Sequence, residues 1–224
     1  MNRILLGLPA LERDRLLRRF ERVNLDFGDV LYEAGNRVTH AYFPVTALVS
    51  LLTVVDLRRT LEVGMVGREG MAGMPLVLGV THSAGGALVQ GAGEALRMDA
   101  RSFRIELSRS AALRDRLSRY TFALIAQISQ TAACNRFHGA EPRLARWLMM
   151  TRDRVDSDEF RLTHVLLAHM LGLRREGVTE AASALRRRGL ITYARGKIRI
   201  ADVRGLKAAS CSCYRALERT SKRE

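Results

Sequence analysis

One segment restricts the fold of this chain more than any other: Leu162-Thr163-His164-Val165-Leu166-Leu167-Ala168-His169-Met170-Leu171-Gly172-Leu173-Arg174-Arg175-Glu176-Gly177-Val178-Thr179-Glu180-Ala181-Ala182. Two helices that cross steeply over a tight turn need particular residues at particular steps. Thr163 can cap the first helix, and Ala168 is small where the second helix crosses. Gly172 stands where the turn calls for a positive φ. Leu167, Leu171, Leu173, Val178 and Ala181 fall where the helices face each other. These requirements are met in register, and they predict a helix-turn-helix.

The outer side of the second helix carries Arg174, Arg175, Glu176, Thr179, Glu180 and Ser183. An arginine can grip guanine O6 and N7 with two parallel hydrogen bonds, and a glutamate can accept from cytosine N4. Arg186-Arg187-Arg188 lies near the far end of the helix, where phosphate contact and a merely solvated face both remain open. Leu190–Ile200 alternates on either side of Arg195-Gly196, which predicts a β-hairpin with Arg195 and Lys197 at its tip. Such a tip suits a wing lying along phosphates, though a structural hairpin with incidental charge gives the same pattern. Upstream, Arg143–Asp153 reads as a helix with Leu144, Trp147, Leu148 and Thr151 on one face.

Charge agrees with a polyanionic partner. The formal net charge is +14, from 37 Lys+Arg against 23 Asp+Glu, and from Gly139 onward the chain holds 19 and 10 of these. The C-terminal part is the more cationic, as a nucleic-acid module would be. No apolar run reaches the roughly 18 residues a membrane helix needs, and the longest, Ala47–Val55, stops at Asp56. Ile4–Leu8 is too short for a signal peptide, so a cytosolic protein without a membrane partner is expected.

The cysteines Cys134, Cys211 and Cys213 are odd in number and are expected to be reduced thiols. The Cys211-Ser212-Cys213 pair with Cys134 or a histidine could hold zinc or act as a redox switch. Three or four ligands with closer spacing would be needed, and no metal or iron–sulfur cluster is expected. His40, His82, His138, His164 and His169 are scattered, and no Ser/His/Asp, P-loop or HExxH arrangement appears, so the chain is not expected to be an enzyme.

The first half reads differently. Leu11–Val23 predicts a short helix, and from Asp26 to about Arg97 short apolar segments alternate with Gly-rich turns. Val30–Tyr32, Ala41–Phe43, Ala47–Val55, Thr60–Val66 and Val89–Met98 are the expected strands of a small β-barrel or roll. Leu113–Phe137 contains no Gly or Pro and carries Leu113, Leu117, Tyr120, Leu124, Ile128 and Thr131 at spacings of three and four. This predicts a long helix whose apolar seam pairs two chains in a short coiled coil, with Gln127 and Asn135 beside it. His138-Gly139-Ala140-Glu141-Pro142 then breaks the helix. The expected fold is α+β: a β-roll sensor over 1–108, a dimerisation helix over 109–138 and a winged helix-turn-helix over 139–224.

This order of parts resembles the Crp/Fnr family of bacterial regulators from about Phe27 to Ile200. The most specific portion is Leu162–Ile191, ending in Leu185-Arg186-Arg187-Arg188-Gly189-Leu190-Ile191. In the roll, Phe27-Gly28-Asp29-Val30-Leu31-Tyr32-Glu33-Ala34-Gly35 followed by Ala41-Tyr42-Phe43 is similar to the start of the cyclic-nucleotide-binding fold. The resemblance implies a homodimeric transcription factor on a near-palindromic operator, with RNA polymerase among its partners. It places Arg175 and Glu176 on base-reading positions, and Glu180 where a second base-reading arginine often stands. Operator preference is therefore expected to differ from the catabolite-activator one. Arg174 replaces the usual serine cap.

Cyclic-AMP-binding members present a Gly-Glu and then an Arg-Ser/Thr-Ala. Here those places hold Gly70-Met71 and either His82-Ser83-Ala84 or Gly85-Gly86-Ala87, with no arginine. A phosphate buried without its charge partner would be poorly compensated, so the effector is expected not to be cyclic AMP. Arg68, Glu69, Met71 and Ser83 are the candidate effector-site residues, though Arg68 and Glu69 read first as ordinary turn residues. A different class of function, a small-molecule or redox sensor acting mainly through protein partners, stays open at this point.

Overall fold

Short apolar segments between Gly-rich turns give most of the strands before Asp99, and the Gly-poor remainder gives mostly helices. The computed structural model describes residues 1–56, 59–155, 157–194 and 196–221. Its chain divides into two units, Met1–Val54 with Gly64–Ile125, and Val55–Val63 with Ala126–Glu224. The division runs through the long helix rather than at either end of it.

The first unit is built on α1 (Arg3–Leu6), α2 (Ala10–Leu17), β1 (Glu21–Leu25), β2 (Val30–Tyr32), β3 (His40–Pro44), β4 (Leu48–Asp56) and β5 (Arg59–Val66). These are followed by α3 (Met74–Val77), β6 (Gly86–Gly91), β7 (Gly93–Asp99), α4 (Ala100–Arg109) and the start of α5 (Ala111–Phe137). The strands form two sheets, ordered β1-β7-β3 and β2-β6-β4-β5. Ala41, Phe43, Val49, Val66, Val89 and Ala95 fill the interior, where the Phe43 ring meets Phe20 at 5.2 Å and Phe103 at 6.2 Å.

Two expectations change here. The helix expected over Leu11–Val23 stops at Leu17, because Glu21–Leu25 pairs with β7 and the Glu21 carboxylate holds Arg97 at 2.7 Å. The strand expected over Val89–Met98 is two strands. The chain turns at Ala92, where the Glu94 carbonyl accepts from the N–H groups of Val45, Thr46 and Ala47 at 2.9, 3.1 and 3.2 Å. A Cβ on Gly93 would sit 2.6 Å from the Ala47 nitrogen, so the turn needs glycine there. Asp99 then caps α4 by accepting from the N–H groups of Arg101 and Ser102, both at 3.0 Å.

The long helix forms as expected, but its apolar seam faces inward. Leu113, Leu117, Tyr120 and Leu124 are 2%, 0%, 7% and 6% exposed within a single chain, and Ile128 is half-buried. The Tyr120 hydroxyl donates to the Met71 carbonyl at 3.2 Å, and its ring occupies the space a Cβ on Gly70 would need. Arg116 donates to the Gly7 carbonyl at 2.7 Å. These leucines therefore pack on their own roll and are not available as the dimer contact assigned to them. The outward face of α5 carries Ser118, Phe122, Ile125, Ser129, Ala132 and Arg136, with Phe122 66% and Ile125 57% exposed. Their alternating steps of four and three are the spacing of a coiled-coil seam.

The second unit contains α6 (Ala140–Val155), β8 (Glu159–Arg161), α7 (His164–Leu171), α8 (Arg175–Arg187), β9 (Ile191–Ala194), β10 (Lys197–Ile200), α9 (Val203–Ala209) and α10 (Ser212–Ser221). The central helix is α6, buried from Arg143 to Thr151. Its Trp147 Nε1–H donates to the buried Glu62 carboxylate at 2.7 Å. The break between α5 and α6 is confined to His138-Gly139, because Pro142 lies in the first turn of α6, where its missing N–H costs no intrahelical bond. The C-terminal helix expected over Asp202–Arg219 is divided at Ser210, which is extended and whose hydroxyl donates to the Lys207 carbonyl at 2.6 Å. That division brings Cys211 and Cys213 against Cys134, so the three cysteines, expected to be reduced thiols, make one buried cluster.

Candidate nucleic-acid interface

The turn between α7 and α8 has the geometry its residues dictate. The Thr163 hydroxyl accepts from the Leu166 N–H at 3.1 Å, capping α7. Gly172 adopts φ 59°, which lets its N–H and that of Leu173 reach back to the carbonyls of His169 and Ala168 at 3.3 and 3.0 Å. The positive φ favours glycine here, and a Cβ, which would lie 2.6 Å from Leu61 Cδ1, would also have to push that side chain aside. Leu167, Ala168, Leu171, Val178, Ala181, Ala182 and Leu185 are buried, and Leu173 is half-buried.

Packing that face inward turns Arg174, Arg175, Glu176, Thr179 and Glu180 outward, all exposed, with Ser183 half-buried behind them. Arg174 is extended at the N-cap and makes no side-chain cap bond, so the first amides of α8 keep their donors for an anion. Among the described residues, Arg174, Arg175, Glu176 and Glu180 form no ion pair through their side chains.

Thr179 is the exception on this face. Its hydroxyl donates to the Arg175 carbonyl at 2.9 Å, so His164 Nδ1, also 2.9 Å away, must be the donor to it. The His164 ring stacks on Tyr193 at 4.5 Å and 24°, and its Nε2 is buried without a partner. Burial and the nearby Arg175 charge hold His164 below the usual histidine pKa, in keeping with the neutral Nδ1–H form. Thr179 thus braces α8 against α7 and the hairpin rather than offering a free hydroxyl to a base.

The hairpin pairs Lys197 with Ala194 and Ile200 with Ile191. Its two-residue connection is Arg195-Gly196, with Gly196 at φ 75°; Arg195 lies outside the described residues. Lys197 Nζ holds Glu159 at 3.0 Å, so the wing lysine already has an acidic neighbour. β8 adds a third strand in which Arg161 stands opposite Lys197 and Glu159 opposite Arg199. Residues directly opposite share a face, and Arg161, Lys197 and Arg199 are exposed together. Arg161 and Arg199 were missed from the sequence; the charged–apolar–charged run Glu159-Phe160-Arg161 was the available signal, only three residues long. Of the arginine triplet, Arg186 and Arg187 are exposed, and Arg188 is ion-paired with Glu141.

Two of the four candidate effector residues are buried, and two are half-buried. Met71 is fully buried, and its side chain lies near Gly73 at φ 107°, so it is a core residue. Ser83 is buried, and its hydroxyl accepts from the Gly85 N–H at 3.3 Å. Glu69 accepts from the Gly67 N–H at 3.2 Å, and the half-buried Arg68 gives its carbonyl to the Arg3 N–H at 2.7 Å. Glu69 and Ser83 thus brace turns of the roll, and Met71 belongs to its core.

The family model of the Crp-like helix-turn-helix domain matches from Pro142, in the first turn of α6, to the end of α9. Residues 142–209 are a Crp-like helix-turn-helix domain. Over most of its length the chain has the fold of Crp/Fnr regulators. A protein from Eubacterium rectale assigned to the Crp/Fnr family of transcriptional regulators superposes with TM-score 0.70 at 15% identity, over 92% of this chain and 97% of that one. The c-di-GMP responsive global regulator CLP of Xanthomonas campestris gives TM-score 0.70 at 17% identity, over 87% and 100%. FixK2 of Bradyrhizobium japonicum gives 0.70 at 14%, over 86% and 98%. No curated protein matches the chain. Among the described residues no helix is long and apolar enough to cross a membrane.

Proposed function

We propose that this chain is a transcription regulator that binds a near-palindromic operator as a homodimer and reads its bases through the N-terminal end of α8. The observation that carries the reading is the set of exposed side chains on that end, Arg174, Arg175, Glu176 and Glu180, which the fold leaves without ion pairs among the described residues. Arg175 and Glu176 read bases, Arg174 serves base or phosphate, and the sheet face of Arg161, Lys197 and Arg199 lies along phosphates. Dimerisation uses the exposed stripe of α5 centred on Phe122 and Ile125.

The effector is not cyclic AMP. The positions that would meet its ribose and phosphate hold a core methionine and a turn serine, and neither Gly70-Met71 nor 82–87 contains an arginine. The Xanthomonas regulator is c-di-GMP responsive, which makes that dinucleotide the second ligand to try. Selection of bound duplexes from random DNA tests the proposal. Two half-sites about 34 Å apart, one helical turn, are expected, with two chains per duplex. Recovery of no preferred sequence, or one chain per duplex, would contradict it. Calorimetry with cyclic AMP should show no binding at micromolar concentrations.

A further inference from the structure

The second unit gathers four metal-donor side chains that DNA recognition does not use. Cys134 lies in the last turn of α5, and His138 follows it by four residues, its N–H donating to the Cys134 carbonyl at 3.1 Å. That spacing puts both side chains on one face of the helical turn. Cys211 and Cys213 come from the break between α9 and α10. The donor atoms of all four residues lie within 4.8 Å of one another. Cys134 Sγ and Cys211 Sγ are 3.4 Å apart, and Cys213 Sγ is 3.6 Å from His138 Nδ1. A tetrahedral ion with metal–sulfur bonds of about 2.3 Å separates its sulfurs by roughly 3.8 Å, so the four donors already stand near the edges of such a polyhedron.

The surroundings favour an anionic cluster. The three thiols are 0%, 6% and 1% exposed, and Gln130 Nε2–H donates to Cys213 Sγ at 3.0 Å. Arg143 and Arg146 are buried nearby, and among the described residues neither is ion-paired with a carboxylate. Each also has a buried Nε without a hydrogen-bond partner. Three thiolates and a neutral imidazole around a divalent ion carry a net charge of −1, which offsets part of that buried guanidinium charge. Three neutral thiols would leave it uncompensated.

We propose that Cys134, His138, Cys211 and Cys213 bind one zinc ion as a closed Cys3His site that fastens the α9–α10 junction to the end of α5. The three sulfurs bind as thiolates, releasing their protons to solvent, and the imidazole binds through a ring nitrogen. With four protein ligands no coordination position stays open for a substrate, so the site is structural. A disulfide between Cys134 and Cys211 would need the sulfurs to close to about 2.05 Å and would leave Cys213 and His138 unused.

The test uses the full chain purified under reducing conditions. One zinc per chain that survives dialysis is expected by elemental analysis. Cobalt(II) added to metal-free protein should give the strong visible absorption and sulfur charge-transfer bands of a tetrahedral thiolate site, and zinc should displace it. His138→Ala removes a half-buried ligand at little risk to folding. It should weaken zinc in chelator competition by more than the roughly 10–100-fold that loss of a ligand's outer hydrogen-bond partner costs. Cys213→Ser should do the same. The inference is overturned by weak, octahedral cobalt spectra in the wild type, by iron with acid-labile sulfide in place of zinc, or by a metal-free Cys134–Cys211 disulfide. None of these readouts depends on DNA binding.

Discussion

In the roll, Glu69 closes a turn onto Gly67, Ser83 holds the Gly85 N–H, and Met71 is sealed beneath Tyr120, whereas on α8 the side chains of Arg174, Arg175, Glu176 and Glu180 remain exposed. A polar group satisfied by its own backbone has little left for a ligand, which must displace an existing bond for a small net gain. An exposed, unpaired arginine at a helix start loses only water when it meets a phosphate or a guanine. The two faces of α5 repeat the contrast. Leu113, Leu117 and Leu124 are used up within the chain, and Phe122 and Ile125 are what the fold leaves for another molecule.

Substitutions that sort residues into these two classes should have effects of different kinds. The largest is expected for Leu117→Ala, which empties a fully buried site and should cost about 2–5 kcal/mol in denaturant unfolding while leaving the association state unchanged. Monomers without lost stability would return Leu117 to the dimer contact. Phe122→Asp should act the other way. Sedimentation should show monomers, melting of the roll should shift little, and operator affinity should fall at least ~10-fold, or ~1.4 kcal/mol. A dimeric Phe122→Asp variant would remove the outward face of α5 from the account. The smallest effect belongs to Lys197→Ala. Because Glu159 already holds that ammonium, the salt dependence of DNA binding should flatten by less than about one ion per contact. A full ion or more would show that the pair opens on DNA.

The helix-turn-helix was legible because each of its constraints is local. Thr163 answers to Leu166 and Gly172 to the turn it makes, Ala168 to a helix that starts seven residues on, and the cap and the positive φ both appear in the structure. The buried face of α5 was legible as a seam but not as to its partner, since a roll and a second helix demand the same spacing of leucines. Only the placement of Tyr120 against Gly70 and Met71 decides between them. The turn at Ala92 was passed over although Gly91 and Gly93 flank it, because strand-like residues continue on both sides, and the brief strand β8 because three residues hardly show a period. Cys134, Cys211, Cys213 and a histidine could be named from the sequence as candidate zinc ligands, but nothing local showed that the fold brings them together. Cys134 and Cys211 are 77 positions apart, and the break at Ser210 that aims Cys211 and Cys213 inward carries no Gly or Pro to announce it.

The central claim is that sequence discrimination resides at the exposed start of α8. Binding isotherms for the wild type and Arg175→Ala, on the selected operator and on a scrambled duplex at several salt concentrations, test it most directly. The account predicts a loss of about 1–3 kcal/mol per contact on the operator, doubled by the dimer, with little change on scrambled DNA and one base pair of each half-site no longer discriminated. An equal loss on both duplexes would make Arg175 a phosphate contact and contradict the claim.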